Sequence, residues 1–320
     1  WLVAKDCNFA DNKHCQIFEH LLDLSNLEAI NAKAKNYKFG KCEYYFKSGK
    51  PSAVYIYDTV IVNNGSKKNK SSVNSVLDGK CQTWYESGNK KTVENYVRGK
   101  KNGGLKQWNE KGQLTLENNY VNDYRCGRQL TYFANGNLNE DITIELEYDS
   151  LKKYYKTFYK GAYLQYDESK NPRTIGFYKN RKKQGKWQYF ANGKITVDAE
   201  YKDDYLINEY KSFHSNTNLL ERKQFYKPIK IITRDTSALD GESVSYYRDG
   251  KVSSKSIYNN GRCIHSISYF NNDVMSSQCS ISDSLVYKTD YYKNGNVERK
   301  SIAKYDKDKD VTAQKYDLMS

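Results

Sequence analysis

The chain has 320 residues, 38% of them hydrophobic, and 52 basic against 38 acidic side chains give it a formal charge of +14. With 31 tyrosines and 3 prolines, it is too aromatic and too regularly patterned for an unfolded chain and too polar for a thick globular core. No apolar run approaches the ~18 residues of a membrane-crossing helix.

Residues 1–40 stand apart from the rest. Ile17, Phe18, Leu21, Leu22, Leu24, Leu27 and Ile30 recur at helical spacing, with Asp11 or Asn12 as N-cap and Gly40 closing the segment, so an amphipathic helix is expected here. Repeat arrays need protected ends, and this helix is expected to cap the first hairpins. Cys7, His14, Cys15 and His20 match no standard zinc spacing. In an oxidising compartment Cys7–Cys15 and Cys263–Cys279 are the first disulfide candidates. Neither a metal nor a cofactor is expected.

From residue 41 to 305 one phrase recurs. Turn centres fall at Gly49, Gly88, Gly112, Gly136, Gly193, Gly250 and Gly295, with degenerate copies at Lys170, Asn218 and Asp273. Their successive spacings of 39, 24, 24, 34, 23, 25, 32, 23 and 22 residues describe stacked supersecondary units with insertions after the first, fourth and seventh. Four residues before the centres stand Tyr45, Trp84, Trp108, Tyr132, Tyr166, Tyr189, Tyr246, Tyr269 and Tyr291, with His214 at the tenth. Eight residues after come Tyr57, Tyr96, Tyr120, Tyr178, Tyr201, Tyr226 and Tyr258, and two after, aliphatics such as Leu114, Leu138, Ile195 and Val252. Each unit therefore reads as a two-stranded antiparallel hairpin.

Ser48-Gly49, Ser87-Gly88 and Lys111-Gly112 do not suit a turn needing positive φ at two positions. A type I turn followed by a left-handed glycine needs it at one, and is expected at every glycine centre. It pairs position −4 with +2, and an unbroken alternation then carries +8 to the same face, which is expected to be the core. The −3 positions point the other way: Phe46, Tyr85, Phe133, Phe190, Tyr247, Phe270 and Tyr292. They pack in a second layer or form a tyrosine-rich recognition surface. Lys67, Lys68 and Lys70, in the first insertion, form a candidate contact loop. In the second insertion, Ile142, Ile144, Leu146 and Tyr148 alternate as a strand; the third, 228–241, is a candidate break into two sub-sheets. Residues 306–320 form a charged tail.

Stretches such as Gly185-Lys-Trp-Gln-Tyr-Phe-Ala-Asn-Gly-Lys and Gly241-Glu-Ser-Val-Ser-Tyr-Tyr-Arg-Asp-Gly-Lys resemble bacterial MORN-variant repeats over about residues 40–305. The resemblance implies an elongated, twisted antiparallel sheet of about ten hairpins, and a secreted or lipid-anchored protein of the bacterial periplasm or envelope. Some proteins of this kind stand beside secreted toxins as immunity proteins, which implies a non-catalytic binder of a cognate toxin or effector, a type VI phospholipase among the candidates. The alternative is an envelope module that meets anionic membrane lipid through its basic charge. His14, His20, His214 and His265 lie in no catalytic motif, and Asp203-Asp204 on a strand would face opposite sides, so no enzyme is expected. Nucleic-acid binding lacks a recognised module.

Overall fold

The computed structural model describes residues 3–4, 38–63, 71–231, 234–282 and 284–304. The expected helical cap, the Lys67–Lys68–Lys70 loop, the Cys7–Cys15 pair and the charged tail lie outside them. The described residues are strands and turns, and they divide into two compact units at Phe158/Tyr159.

In the first unit, β1 (Val3–Ala4) pairs β2 (Gly40–Tyr45), and β2 pairs β3 (Pro51–Asn63). The far end of β3 pairs β4 (Ser71–Leu77), while Ala53 and Val54 pair β5 (Gly79–Trp84). Antiparallel neighbours then follow in chain order: β6 (Lys90–Val97), β7 (Lys100–Trp108), β8 (Leu114–Val121), β9 (Tyr124–Tyr132) and β10 (Leu138–Asp149). The unit boundary falls within β11 (Tyr154–Tyr166).

In the second unit each strand pairs the next. They are β11, β12 (Pro172–Lys179), β13 (Lys182–Ala191), β14 (Lys194–Lys202), β15 (Tyr205–Phe213) and β16 (Leu220–Ile231). There follow β17 (Arg234–Tyr246), β18 (Val252–Asn259), β19 (Arg262–Tyr269), β20 (Met275–Ser282), β21 (Leu285–Tyr291) and β22 (Val297–Lys304). Across 228–241, β16 and β17 pair from Tyr226↔Leu239 to Ile231↔Arg234. The first and third insertions are thus lengthened hairpin arms.

The expected turn is present at eight of the ten centres. Phe46 N–H donates to Lys50 O at 2.8 Å and Gly49 N–H to Phe46 O at 2.9 Å, and the same two bonds recur around Gly88, Gly112, Gly136, Lys170, Gly250, Asp273 and Gly295. Lys170 and Asp273 take the left-handed φ without glycine, at 68° and 64°. Two centres differ, and of these only Gly193 departs from the expectation. Asn192-Gly193, with φ of 51° and 73°, is a two-residue turn in which Ala191 pairs Lys194; Asn-Gly accepts positive φ at both positions, although Asn135-Gly136 and Asn294-Gly295 keep the three-residue turn. At Asn218 the loop is one residue longer, closed by Asn218 N–H on His214 O.

A second set of turns closes the other end of the hairpins. Arg98-Gly99, Asn122-Asp123, Asn180-Arg181, Asp203-Asp204 and Asn260-Gly261 all have positive φ at both residues and join directly paired strands. Asp203-Asp204 is therefore a tight turn, not part of a strand. The turns at Gly99, Asp123, Asp204 and Gly261 bond to the preceding unit. Lys183 N–H donates to Asp204 Oδ1 at 2.7 Å while Asp204 N–H donates to Lys183 O at 3.2 Å, and Lys101 and Asp123 repeat the exchange at 2.7 and 3.0 Å.

The core does not lie where alternation from the turn predicts. Tyr45 pairs Pro51, as expected for −4 and +2, but Tyr44 pairs Ala53, so one residue bulges between them. A one-residue slip reverses every later side chain, and the +8 tyrosines lie on the face opposite the −4 aromatics, except at Gly193, where the tighter turn shifts the register and Tyr189 shares a face with Trp187 and Tyr201. Tyr44, Tyr55 and Tyr57 meet on that face, with ring centroids 5.6 and 6.2 Å apart. Its floor is position −7: Cys42, Cys81, Leu105 and Gln129 are each 2% exposed. The +8 tyrosines stand opposite residues with left-handed backbone, as in Gly103↔Tyr120, where Gly103 takes φ +96°, a conformation glycine adopts without strain.

Trp187, 1% exposed, is packed over Gly176, where an added Cβ would lie 2.3 Å from the indole. Gly176→Ala should cost about 1–3 kcal/mol by overpacking, read as a lower urea midpoint with unchanged slope. Gly104→Ala, whose Cβ would meet nothing closer than 3.8 Å, should leave the midpoint nearly in place.

Candidate functional site

Because the bulge gathers the tyrosines on one side, each unit carries a half-buried aromatic surface, and lysines lie over it. In the second unit Trp187 is ringed by Tyr178, Tyr163, Tyr189 and Tyr201 at centroid distances of 5.0, 5.7, 6.3 and 6.3 Å. Lys183 Nζ stands 4.4 Å over Trp187, 5.0 Å over Tyr201 and 5.6 Å over Tyr189, and donates to Tyr189 Oη at 2.9 Å. This is an aromatic cation cage occupied by the chain's own ammonium.

The first unit repeats the theme. Lys38 Nζ lies 5.1 Å over Tyr44 and 5.4 Å over Tyr57, and donates to Tyr44 Oη at 2.6 Å. Lys101 lies 5.7 Å over Tyr120 and pairs Glu94 at 3.0 Å, whose second oxygen accepts from Tyr96 Oη at 2.7 Å. Long stems over apolar rings with wet ammonium groups suit both residue types.

Burial, then neighbouring phenols or Glu94, raises the Tyr57 and Tyr96 phenols well above the ordinary tyrosine range. Burial likewise pushes up the Cys81, Cys126, Cys263 and Cys279 thiols, the opposite of what a thiolate nucleophile needs. Among the described residues no group of three or more His, Cys, Asp or Glu side chains is placed to hold a metal. Aromatic faces, hydroxyls and ammonium groups are what this surface offers a ligand.

The −3 aromatics other than Phe190 alternate onto the same side as the +8 tyrosines, at its margin by the glycine turns; Phe190 faces away from Tyr201, because Tyr189 beside it shares the face of Tyr201. Phe46, Tyr85, Phe133, Phe190, Tyr247 and Phe270 are half-buried, and Tyr292 is 52% exposed. Two of them tie consecutive units: Tyr85 Oη donates to Trp108 O at 2.9 Å and Tyr247 Oη to Tyr269 O at 2.6 Å. Phe270 lines an open cleft of about 600 Å³ with Ser276, Lys288, Asp290, Tyr291, Glu298 and Arg299. There Lys288 and Arg299 each pair Asp290 at 2.8 Å.

The expected Cys263–Cys279 bridge is corrected by register: both are free. Cys279 stands opposite Ser266, three residues along β19 from Cys263, or about 10 Å of strand, beyond the reach of a disulfide.

Reading from the turns alone missed the buried −7 row and the lysines above the rings. The second turns left a signal, since each lies ten and eleven residues after its centre. The bulge leaves none in residue type, because the residue it inserts is Ser52, Thr115 or Ser253 in different copies.

The Tyr201 phenol is pushed up to about 12, by burial first and then by Tyr189. A folded chain that keeps a proton the unfolded chain releases near ~10 loses stability as pH rises. This contribution is complete below pH ~10 and disappears as pH climbs through the folded value. Ultraviolet titration of tyrosinate should show a late-titrating phenol that Tyr201→Phe removes.

Residues 77–98 and 239–260 match the family described as MORN repeat variant. Both segments run from eleven residues before a glycine centre to ten after it, the frame set by the two kinds of turn. No curated protein matches. Among solved structures, the chain is similar to one described as "Crystal Structure of TcdB2-TccC3", at 10% identity and a TM-score of 0.14, over 81% of this chain and 17% of that one. It is also similar to a chain of the Photorhabdus luminescens Tc holotoxin pore, at 10% identity and a TM-score of 0.15, over 84% of this chain and 17% of that one. The chain thus spans about a sixth of the length of these proteins. Its hairpin units at 77–98 and 239–260 are repeats of the MORN variant family.

Proposed function

We propose that this chain is a non-catalytic protein-binding module, and in its finer form an immunity protein that binds and neutralises a secreted bacterial toxin in the periplasm or envelope. The observation that carries the reading is the aromatic face described above, with rings held at fixed spacing under lysines. Tyrosine gives wide amphipathic contact area at low entropy cost, and rings already ordered by cross-strand packing lose little further freedom on binding. Raised thiol and phenol pKa values are consistent with contact rather than catalysis. A toxin whose active-site entrance is covered by such a face would be silenced without chemistry.

The test is to read the genes adjacent to this chain's own and co-express it with any toxin-like product found there. Co-elution of the two in gel filtration, with survival of cells that the effector alone kills, is the expected result. Separate elution and no protection would remove the immunity form. Salt-sensitive sedimentation with anionic vesicles, without any protein partner, would instead favour an envelope module.

A further inference from the structure

Five Asn-Gly dipeptides lie among the described residues, beginning at Asn102, Asn135, Asn192, Asn260 and Asn294. The pair carries a latent reaction with itself. The glycine nitrogen can attack the asparagine Cγ, and glycine has no side chain to hinder the ring that forms. The nitrogen must give up its proton and turn towards the amide, so a hydrogen bond made by either group has to be broken first.

Four of the five are held. Gly136 N–H donates to Phe133 O and Gly295 N–H to Tyr292 O, both at 2.9 Å, while Asn135 Oδ1 and Asn294 Oδ1 accept from the N–H of Asn137 and Asn296 at 2.9 and 3.0 Å. Gly261 N–H donates to Leu239 O at 2.7 Å. Asn260 is fixed by its N–H on Asp240 Oδ1 at 3.0 Å and its Nδ2 on Asn259 Oδ1 at 3.1 Å. Asn102-Gly103 lies inside β7, with Gly103 paired to Tyr120 on β8. At Asn192-Gly193 the two-residue turn has lost the bond that a three-residue turn makes from its glycine N–H to the −3 carbonyl. Both residues are exposed, and neither the Gly193 N–H nor the Asn192 side chain has a hydrogen-bond partner among the described residues.

We propose that Asn192-Gly193 is the site at which the folded chain modifies itself by deamidation. Gly193 N bonds to Asn192 Cγ, the bond from Cγ to Nδ2 breaks, and Nδ2 leaves as ammonia with the proton from Gly193 N–H. Water then opens the cyclic succinimide. Its attack at Cγ gives aspartate, and its attack at the Asn192 main-chain carbonyl carbon gives isoaspartate, with the chain running through the former side chain. Either product puts a carboxylate in the turn, and isoaspartate adds a backbone carbon to a loop of two residues. That loop sets the register that places Trp187, Tyr189 and Tyr201 on one face, so the change falls on the hairpin of the aromatic cage.

The test incubates the full chain in mildly alkaline buffer, with and without urea, and follows each Asn-Gly peptide by mass spectrometry. Isoaspartate is assigned with protein isoaspartate methyltransferase. In the native chain Asn192 should convert at least fivefold faster than Asn102, Asn135, Asn260 or Asn294. In urea the five should convert within threefold of one another, since unfolding removes the bonds that protect the other four. Asn192→Gln should abolish the fast phase of ammonia release from the native chain. A native advantage of less than fivefold at Asn192, or an equal advantage in urea, would overturn the proposal.

Discussion

A tyrosine ring laid opposite a left-handed residue of the neighbouring strand is the contact on which the array depends. Gly40↔Tyr57, Gly79↔Tyr96, Gly103↔Tyr120 and Gly241↔Tyr258 are the same pair in four of the repeats. The pair exists because one residue bulges shortly after the glycine turn and moves the ring to the side where Cys42, Cys81 and Leu105 are buried. Without that slip the tyrosines would face the −4 aromatics' side and the −7 row would have nothing above it. Turn geometry and core composition are therefore one constraint.

The sequence made the units, their spacing and most of their glycine turns readable, since turn chemistry and aromatic recurrence are local signals. It also placed −4 opposite +2, as Trp84↔Lys90 and Trp108↔Leu114 confirm. Facing was not readable, because a bulge is a backbone event that serine, threonine or lysine accommodates equally. The departure at Asn192-Gly193 was not readable either, since Asn135-Gly136 and Asn294-Gly295 carry the same dipeptide and keep the three-residue turn. Of the candidate contact residues, the −3 aromatics were found as a set, yet Tyr85 and Tyr247 are engaged in tying units together.

The positive charge also reads differently beside the structure. Lys38, Lys101 and Lys183 stand over aromatic rings of their own unit, while Lys106, Lys186 and Lys223 pair carboxylates on neighbouring strands. Part of the formal +14 is thus engaged in holding the sheet, and exposed pairs of this kind add little stability each. Their effect is to cover large rings while keeping the surface wet.

The tight turns give the array a direction. The carboxylate of Asp123 serves the backbone of Lys101, and that of Asp204 serves Lys183, in both cases the unit before, while at Asn260-Gly261 the carboxylate is that of Asp240 on the earlier strand and serves the Asn260 backbone. A hairpin emerging during synthesis is consequently finished by its successor, so the growing chain is completed one unit behind its newest residues, with the exposed end always the most recent. Growth by adding units at the C-terminal side preserves every such bond already made, whereas excision of an internal unit leaves the backbone before it unserved.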